Sequence, residues 1–192
     1  LRLSDAEMAK FIADRQAERD KYADKNRAAI LKRGREIGLA FASHDDATVE
    51  HVDEAVRDGM AIAEFPTTMA AAQACHAAGL AVLVGAPNVG RGQSHNGNIS
   101  AAELAKVEVL DVLSSDYVPF ALMYAAFLLP ERADNITLPQ AIGMVTSRPA
   151  AAAHLSDRGE VAVGKRADLV RVRRTDPVPV VRSVWRQGKR VS

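Results

Sequence analysis

Two patterns of apolar and polar positions divide the chain. In residues 1–36, charges of both signs are interleaved without proline, and Met8, Phe11 and Ile12 fall on one stripe at helical spacing. That pattern predicts helix. Ser4 followed three positions later by Glu7 reads as a capping box at its start. The interleaved charges suit i,i+4 pairs on a solvated face, so the segment reads as a pair of surface helices.

From Gly38 onward the pattern becomes short apolar runs, each ending in polar residues and followed by a stretch of helical character. The runs are 39–42, 60–63, 80–84 and 110–113. Helices are predicted to Asp58, to Ala78, from Ser100, and from Pro119 to Leu129, with Gly59 and Gly79 as stops. Only the segment after Val84 departs from this, reading as a long polar loop over 85–99. Four βα units of this kind predict an α/β fold, a parallel sheet covered by helices. Right-handed crossovers then bring the carboxyl ends of the four strands to one rim. A further helix is predicted over 138–153. Beyond it, alternation and glycine turns in 158–172 and 178–191 predict short antiparallel or edge strands. The expected segments are therefore a helical 1–36, an α/β unit 37–153 and a small β segment 154–192.

Composition narrows the function. The 192 residues carry 25 Lys and Arg against 24 Asp and Glu, a net charge of +1, which offers no bulk attraction to nucleic acid or anionic membrane. No stretch approaches the roughly 20 apolar residues of a bilayer span. Cys75 is the single cysteine, so neither an intramolecular disulfide nor an all-thiolate zinc site is available. A cytoplasmic setting is expected. No basic leader and apolar core precede Leu1, which argues against a secretory signal, and the missing initiator Met points to a trimmed chain.

The polar residues at the run ends carry the candidate chemistry. His44, Glu64 and Asp116 close the first, second and fourth runs. Imidazole and carboxylates converging on one rim suit a divalent metal, zinc first, with manganese or iron as alternatives. Asp116 would also take a proton from water. Asp45 and Asp46 flank His44 and are candidates to orient it; Tyr117 lies beside Asp116. The segment after Val84 is rich in glycine and asparagine, too long for a simple connection. Its Asn88, Arg91, Ser94, His95, Asn96 and Asn98 offer an anion cradle suited to a polyphosphate. His51, His76 and His154 read as surface histidines and Cys75 as buried packing.

These motifs, taken in order, are Ser43-His-Asp-Asp46, Glu64-Phe-Pro-Thr-Thr68, Gly85-Ala-Pro-Asn88 with Arg91-Gly92 and Ser94-His-Asn-Gly-Asn98, and Leu113-Ser-Ser-Asp-Tyr-Val-Pro119. The set closely resembles the diphosphatase branch of the amidohydrolase superfamily. The segment from Asp157 to Asp168 resembles the strands that close many amidohydrolases. The resemblance implies a metal-dependent (β/α)8 hydrolase that releases pyrophosphate from a ribose 5-triphosphate phosphonate ester in phosphonate utilisation. It implies His44 as the metal ligand after the fifth barrel strand, Glu64 after the sixth, where most members place a histidine, as ligand or hydrogen-bond partner, and Asp116 after the eighth as ligand and water activator. The alternatives are a related amidohydrolase acting on a cyclic amide or deaminating a base, and a non-catalytic phosphate-binding α/β module.

The same resemblance implies a chain that supplies only the later half of a barrel of roughly 250 residues. The family's first-strand metal motif is absent from it, so the isolated chain is expected to be inactive. Its open sheet edges are expected to seek cover from its own N-terminal helices, a second copy or the missing half.

Overall fold

The computed structural model describes residues 3–92, 98–176 and 178–192. The chain divides into two compact units, Leu1–Leu39 and Ala40–Ser192.

The first unit is one helix, α1 (Asp5–Glu36), where the sequence suggested a pair. The reason is local: the segment lacks proline, and its first glycine, Gly34, falls in the last turn, so nothing breaks the i→i−4 ladder earlier. The capping box forms as expected. Glu7 N–H donates to Ser4 Oγ at 3.4 Å and Ser4 N–H to Glu7 Oε2 at 2.8 Å. The hydroxyl of Ser4 is the main cause that holds the Glu7 carboxyl below its usual range. Only Leu31 and Gly34 are buried along α1.

In the second unit, β1 (Ala42–His44), β2 (Ile62–Glu64), β3 (Ala81–Gly85) and β4 (Val112–Ser114) form a parallel sheet in sequential order. Helices α2 (Val49–Arg57), α3 (Met69–Ala77), α4 (Ala86–Arg91) and α5 (Ala101–Lys106) lie between the strands, with α6 (Ala121–Arg132) after β4. This is the predicted α/β arrangement. Threonine caps repeat: Thr48 Oγ1 accepts from His51 N–H, and Thr68 Oγ1 from Ala71 N–H at 3.1 Å. Val82, Val84, Leu104, Leu110, Leu113, Leu129 and Met144 fill the core. Ala71, Ala72 and Cys75, fully buried on α3, let that helix come close to the strands.

The strands begin one to three residues later than the apolar runs. Pairing starts only where the neighbouring strand lies alongside, so Leu39 and Met60 are left outside the ladder while His44 and Glu64 join it. Three other expectations need correction. The polar segment after Val84 begins as helix α4, because Pro87 sits in the first turn, where its missing N–H costs nothing. The helix expected over 138–153 is two, α7 (Leu138–Gly143) and α8 (Ser147–Ala152). Pro149 cannot donate to an interior ladder and is placed in the first turn of α8 instead. The alternation of 158–168 makes no strand: Gly159 (φ +96°) and Gly164 (φ +87°) turn the backbone, and a Cβ on Gly159 would lie 2.9 Å from Ala150 Cβ.

A second sheet, β5 (Leu169–Arg173), β6 (Val180–Arg186) and β7 (Lys189–Arg190), is antiparallel. Its surroundings are basic: residues 165–192 hold nine Lys and Arg against two Asp. Residues 40–164 hold fifteen Asp and Glu against six Arg and Lys. The outer edge of β4 is touched by one backbone bond, Leu113 N–H to Met144 O at 3.0 Å. Among the described residues no strand pairs with the outer edge of β1, and no helix is long and apolar enough to cross a membrane.

At the amino-terminal side of the sheet, Asp111 Oδ2 accepts from Val82 N–H at 3.0 Å and lies 3.1 Å from His76 Nδ1. His76, read as a surface histidine, thus ties α3 to the base of β4. We predict that Asp111→Ala, which strands the Val82 N–H, lowers unfolding free energy by about 1–2 kcal/mol. His76→Ala should cost less, as its ring is substantially exposed. Urea titration of both variants checks the order.

Candidate active site

The carboxyl rim of the parallel sheet is built by a repeated backbone device. At the end of β1, Asp45 adopts φ +60° and its N–H reaches across to Glu64 O at 3.0 Å. At the end of β2, Phe65 adopts φ +56° and its N–H reaches Leu83 O at 2.9 Å. After β4, Asp116 adopts φ +50°, inside a turn closed by Val118 N–H to Ser115 O at 3.0 Å. Left-handed backbone at three non-glycine residues on one rim costs of order 1 kcal/mol or more each. For a bulky residue such as Phe65 it is a pronounced departure.

These turns set the side chains. His44 ends β1 as the register partner of Glu64, and its Nδ1 lies 3.0 Å from Asp45 Oδ2. The carboxylate beside Nδ1 leaves Nε2 as the nitrogen available to a ligand. Phe65 meets the His44 imidazole edge-on, with centroids 5.4 Å apart and planes at 71°. The other side of Phe65 lies over the end of β3. A Cβ placed on Gly85 would fall 3.2 Å from Asp116 Oδ2, 3.3 Å from Asp116 Cβ and 3.4 Å from Phe65 Cε1. His44, Phe65, Gly85 and Asp116 therefore form a continuous line of contacts across all four strand ends. Phe65 and Gly85 were not singled out for this role in the sequence; their only signal is a bulky residue and a bare one at successive strand ends.

The remaining expected residues separate into different roles. Asp46, buried, accepts from Ser43 Oγ, while its carbonyl accepts from Thr67 N–H at 2.9 Å. It locks the loop after β1 to that after β2. Asn88 spends its amide on backbone: Oδ1 accepts from Ala101 N–H at 2.9 Å and Nδ2 donates to Ile99 O at 3.4 Å. It clamps α4 to the start of α5. Asn98 is half-buried just before that point. Arg91 ends α4 and reaches to the loop after β4, where its Nη2 donates to Tyr117 Oη at 2.6 Å. Ser94, His95 and Asn96 lie outside the described residues.

Imidazole and carboxylate are the donor types a divalent cation takes, and His44 and Asp116 share the rim. As a complete site they do not suffice: among the described residues, no three His, Cys, Asp or Glu side chains gather closely enough to hold a metal ion. Cys75 plays no part. It is fully buried, and burial, with the charge of Asp46 adding, pushes its thiol up to about 11.

The family pattern described as the amidohydrolase family matches residues 8–192. The chain is 48% identical over 190 residues to the alpha-D-ribose 1-methylphosphonate 5-triphosphate diphosphatase of Escherichia coli K12, covering 98% of this chain and 50% of that protein. The chain thus spans about half the length of the curated relative it matches. Among solved structures, an amidohydrolase from Thermotoga maritima MSB8 aligns with a TM-score of 0.62 at 17% identity, over 98% of this chain and 56% of that one. The A. niger ochratoxinase aligns with a TM-score of 0.59 at 16% identity, over 84% and 44%. At such identities these two structures speak for the fold alone.

Two outcomes follow from the packing. Gly85→Ala should force Asp116 or Phe65 aside and cost about 1–3 kcal/mol. Phe65→Leu should relieve part of that cost, so a double-mutant cycle read by urea unfolding gives a non-additive pair. For Cys75, folding keeps the proton on the thiol. Its contribution to stability is complete below the unfolded value of about 8.5 and is lost as pH climbs toward about 11. Alkylation of the native chain at pH 8 should accordingly be much slower than in urea.

Proposed function

The chain belongs to the amidohydrolase family, and from that premise we propose that it carries one half of the active-site rim of a metal-dependent diphosphatase. The substrate would be a ribose 5-triphosphate bearing a phosphonate, as the name of the E. coli relative describes for that protein, and the product pyrophosphate. The observation that carries the reading is the contact line from His44 through Phe65 and Gly85 to Asp116, which sets an imidazole and a carboxylate on one rim.

In this reading His44 and Asp116 would hold a divalent metal, zinc first among the candidates, together with donors from beyond the described residues. The metal would supply Lewis acidity at the phosphoryl oxygen. Asp45 fixes the His44 tautomer by accepting a hydrogen bond from Nδ1–H, which keeps the proton there and leaves the Nε2 lone pair free. Asp116 accepts a proton from the attacking water, which adds to the phosphorus nearest the ribose. The bond from that phosphorus to the bridging oxygen breaks, and pyrophosphate departs with that oxygen. Arg91, with Asn98 and the Ser94–Asn96 segment, offsets the charge that grows on the leaving group. Glu64, half-buried and the register partner of His44, would serve as a further oxygen ligand or as a hydrogen-bond partner at the same rim. The one buried thiol of Cys75 suits a reducing cytoplasm.

The test is a chimera in which this chain replaces the matching half of the E. coli relative. It should release pyrophosphate from the ribose triphosphate, whereas the 192-residue chain alone should not. His44→Ala or Asp116→Asn in the chimera should lower kcat by about 10²–10⁴-fold. Ammonia release from a cyclic amide or a nucleobase in place of pyrophosphate, or indifference to both substitutions, would overturn the reading.

A further inference from the structure

Arg91 and Tyr117 come from different connections, the end of α4 and the turn after β4, yet meet at the same rim. The guanidinium carbon lies 5.8 Å from the tyrosine ring centroid, and Nη2 donates to Oη at 2.6 Å. Both side chains are solvent-facing, Tyr117 at 62% exposure. Among the described residues Arg91 makes no ion pair with a carboxylate.

The geometry defines what this pair offers. Stacking and the hydrogen bond hold a side chain of high rotamer freedom in one place, so little ordering is left for a ligand to supply. Among the described residues one of the five guanidinium N–H groups is engaged, which leaves an edge for a bidentate grip on a phosphate. Because Oη acts as acceptor toward Arg91, its own proton is left to donate to a second anionic oxygen close to the guanidinium. The anchoring is shared with the chemistry: the Ser115–Val118 turn that carries Tyr117 also places Asp116 over Gly85. Arg91 is steadied from below by the Asn88 clamp on Ala101.

We infer that Tyr117, with Arg91, forms a two-residue clip that contacts the substrate and selects a chain of linked phosphates over a single phosphate. The identity of the natural ligand rests on the diphosphatase reading; the preference for linked phosphates is a property of the pair itself.

Binding of inorganic tripolyphosphate and of orthophosphate to the 192-residue chain, followed by calorimetry at fixed low salt without added metal, tests the clip. Tripolyphosphate should bind at least about tenfold tighter than orthophosphate. Tyr117→Phe, which keeps the ring and removes the O–H, should weaken tripolyphosphate about tenfold and leave orthophosphate nearly unchanged. Arg91→Gln should abolish both, and Arg91→Lys should restore only part, since an ammonium lacks the planar fork. Unchanged circular dichroism and melting would show that the exposed variants fold. No tripolyphosphate binding by the unaltered chain, equal loss of both anions in Tyr117→Phe, or no loss at all would overturn the clip. In the active chimera Tyr117→Phe should raise KM more than it lowers kcat. A chimera that releases no pyrophosphate while the binding difference holds would sink the diphosphatase reading and leave the clip standing.

Discussion

The His44 and Phe65 side of the rim depends on two backbone hydrogen bonds between neighbouring strands, from Asp45 N–H to Glu64 O and from Phe65 N–H to Leu83 O. Each pins the first residue past a strand to the neighbouring strand as the last rung of the ladder, and at both positions the backbone then turns left-handed. Bent back as they are, Asp45 reaches the imidazole of His44, and the Phe65 ring lies between that imidazole and the end of β3. The strain is tolerated because the strands beneath are anchored in a packed interior around Ala63, Val82 and Val84.

The two ends of the sheet accordingly do different work. Below, Asp111 joins Val82 and His76 in a small polar knot that serves stability. Above, the Arg91 guanidinium, held by Tyr117, and the His44 imidazole, held by Asp45, face solvent on a frame that is already fixed. That is the division common to parallel α/β proteins, with fixed scaffold at the amino ends and adaptable chemistry at the carboxyl ends. Gly85 belongs to both: it is a strand residue with ordinary backbone angles, and its missing side chain is the space into which Asp116 and Phe65 fit.

Much of this was legible in the sequence. The βα repeat, the stops at Gly59 and Gly79, the helix starts at Ser4 and Ser100 and the placement of His44, Glu64 and Asp116 near strand ends follow from local propensities and period. Those signals act over a few residues. The tetrad contact through Phe65 was not legible, because it joins positions far apart in the chain and rests on a backbone conformation phenylalanine seldom takes. The use of Asn88 as a clamp was hidden for a similar reason: its partners at 99 and 101 become neighbours only after the chain turns back. Alternation in 158–168 misled, since period-two patterning carries no information about a glycine that must pack against Ser147 and Ala150. The unbroken α1 shows the reverse error, a division assumed where no breaker was present.

The uneven placement of charge in the second unit has its own consequence. The near balance of fifteen Lys and Arg against seventeen Asp and Glu in residues 40–192 describes neither part of a body whose α/β portion is rich in carboxylates and whose small sheet is rich in arginine. Such a molecule is an electric dipole more than an ion. It should adhere to positively and negatively charged resins alike, orient in a field gradient, and lose both behaviours together as added electrolyte shortens the reach of its poles.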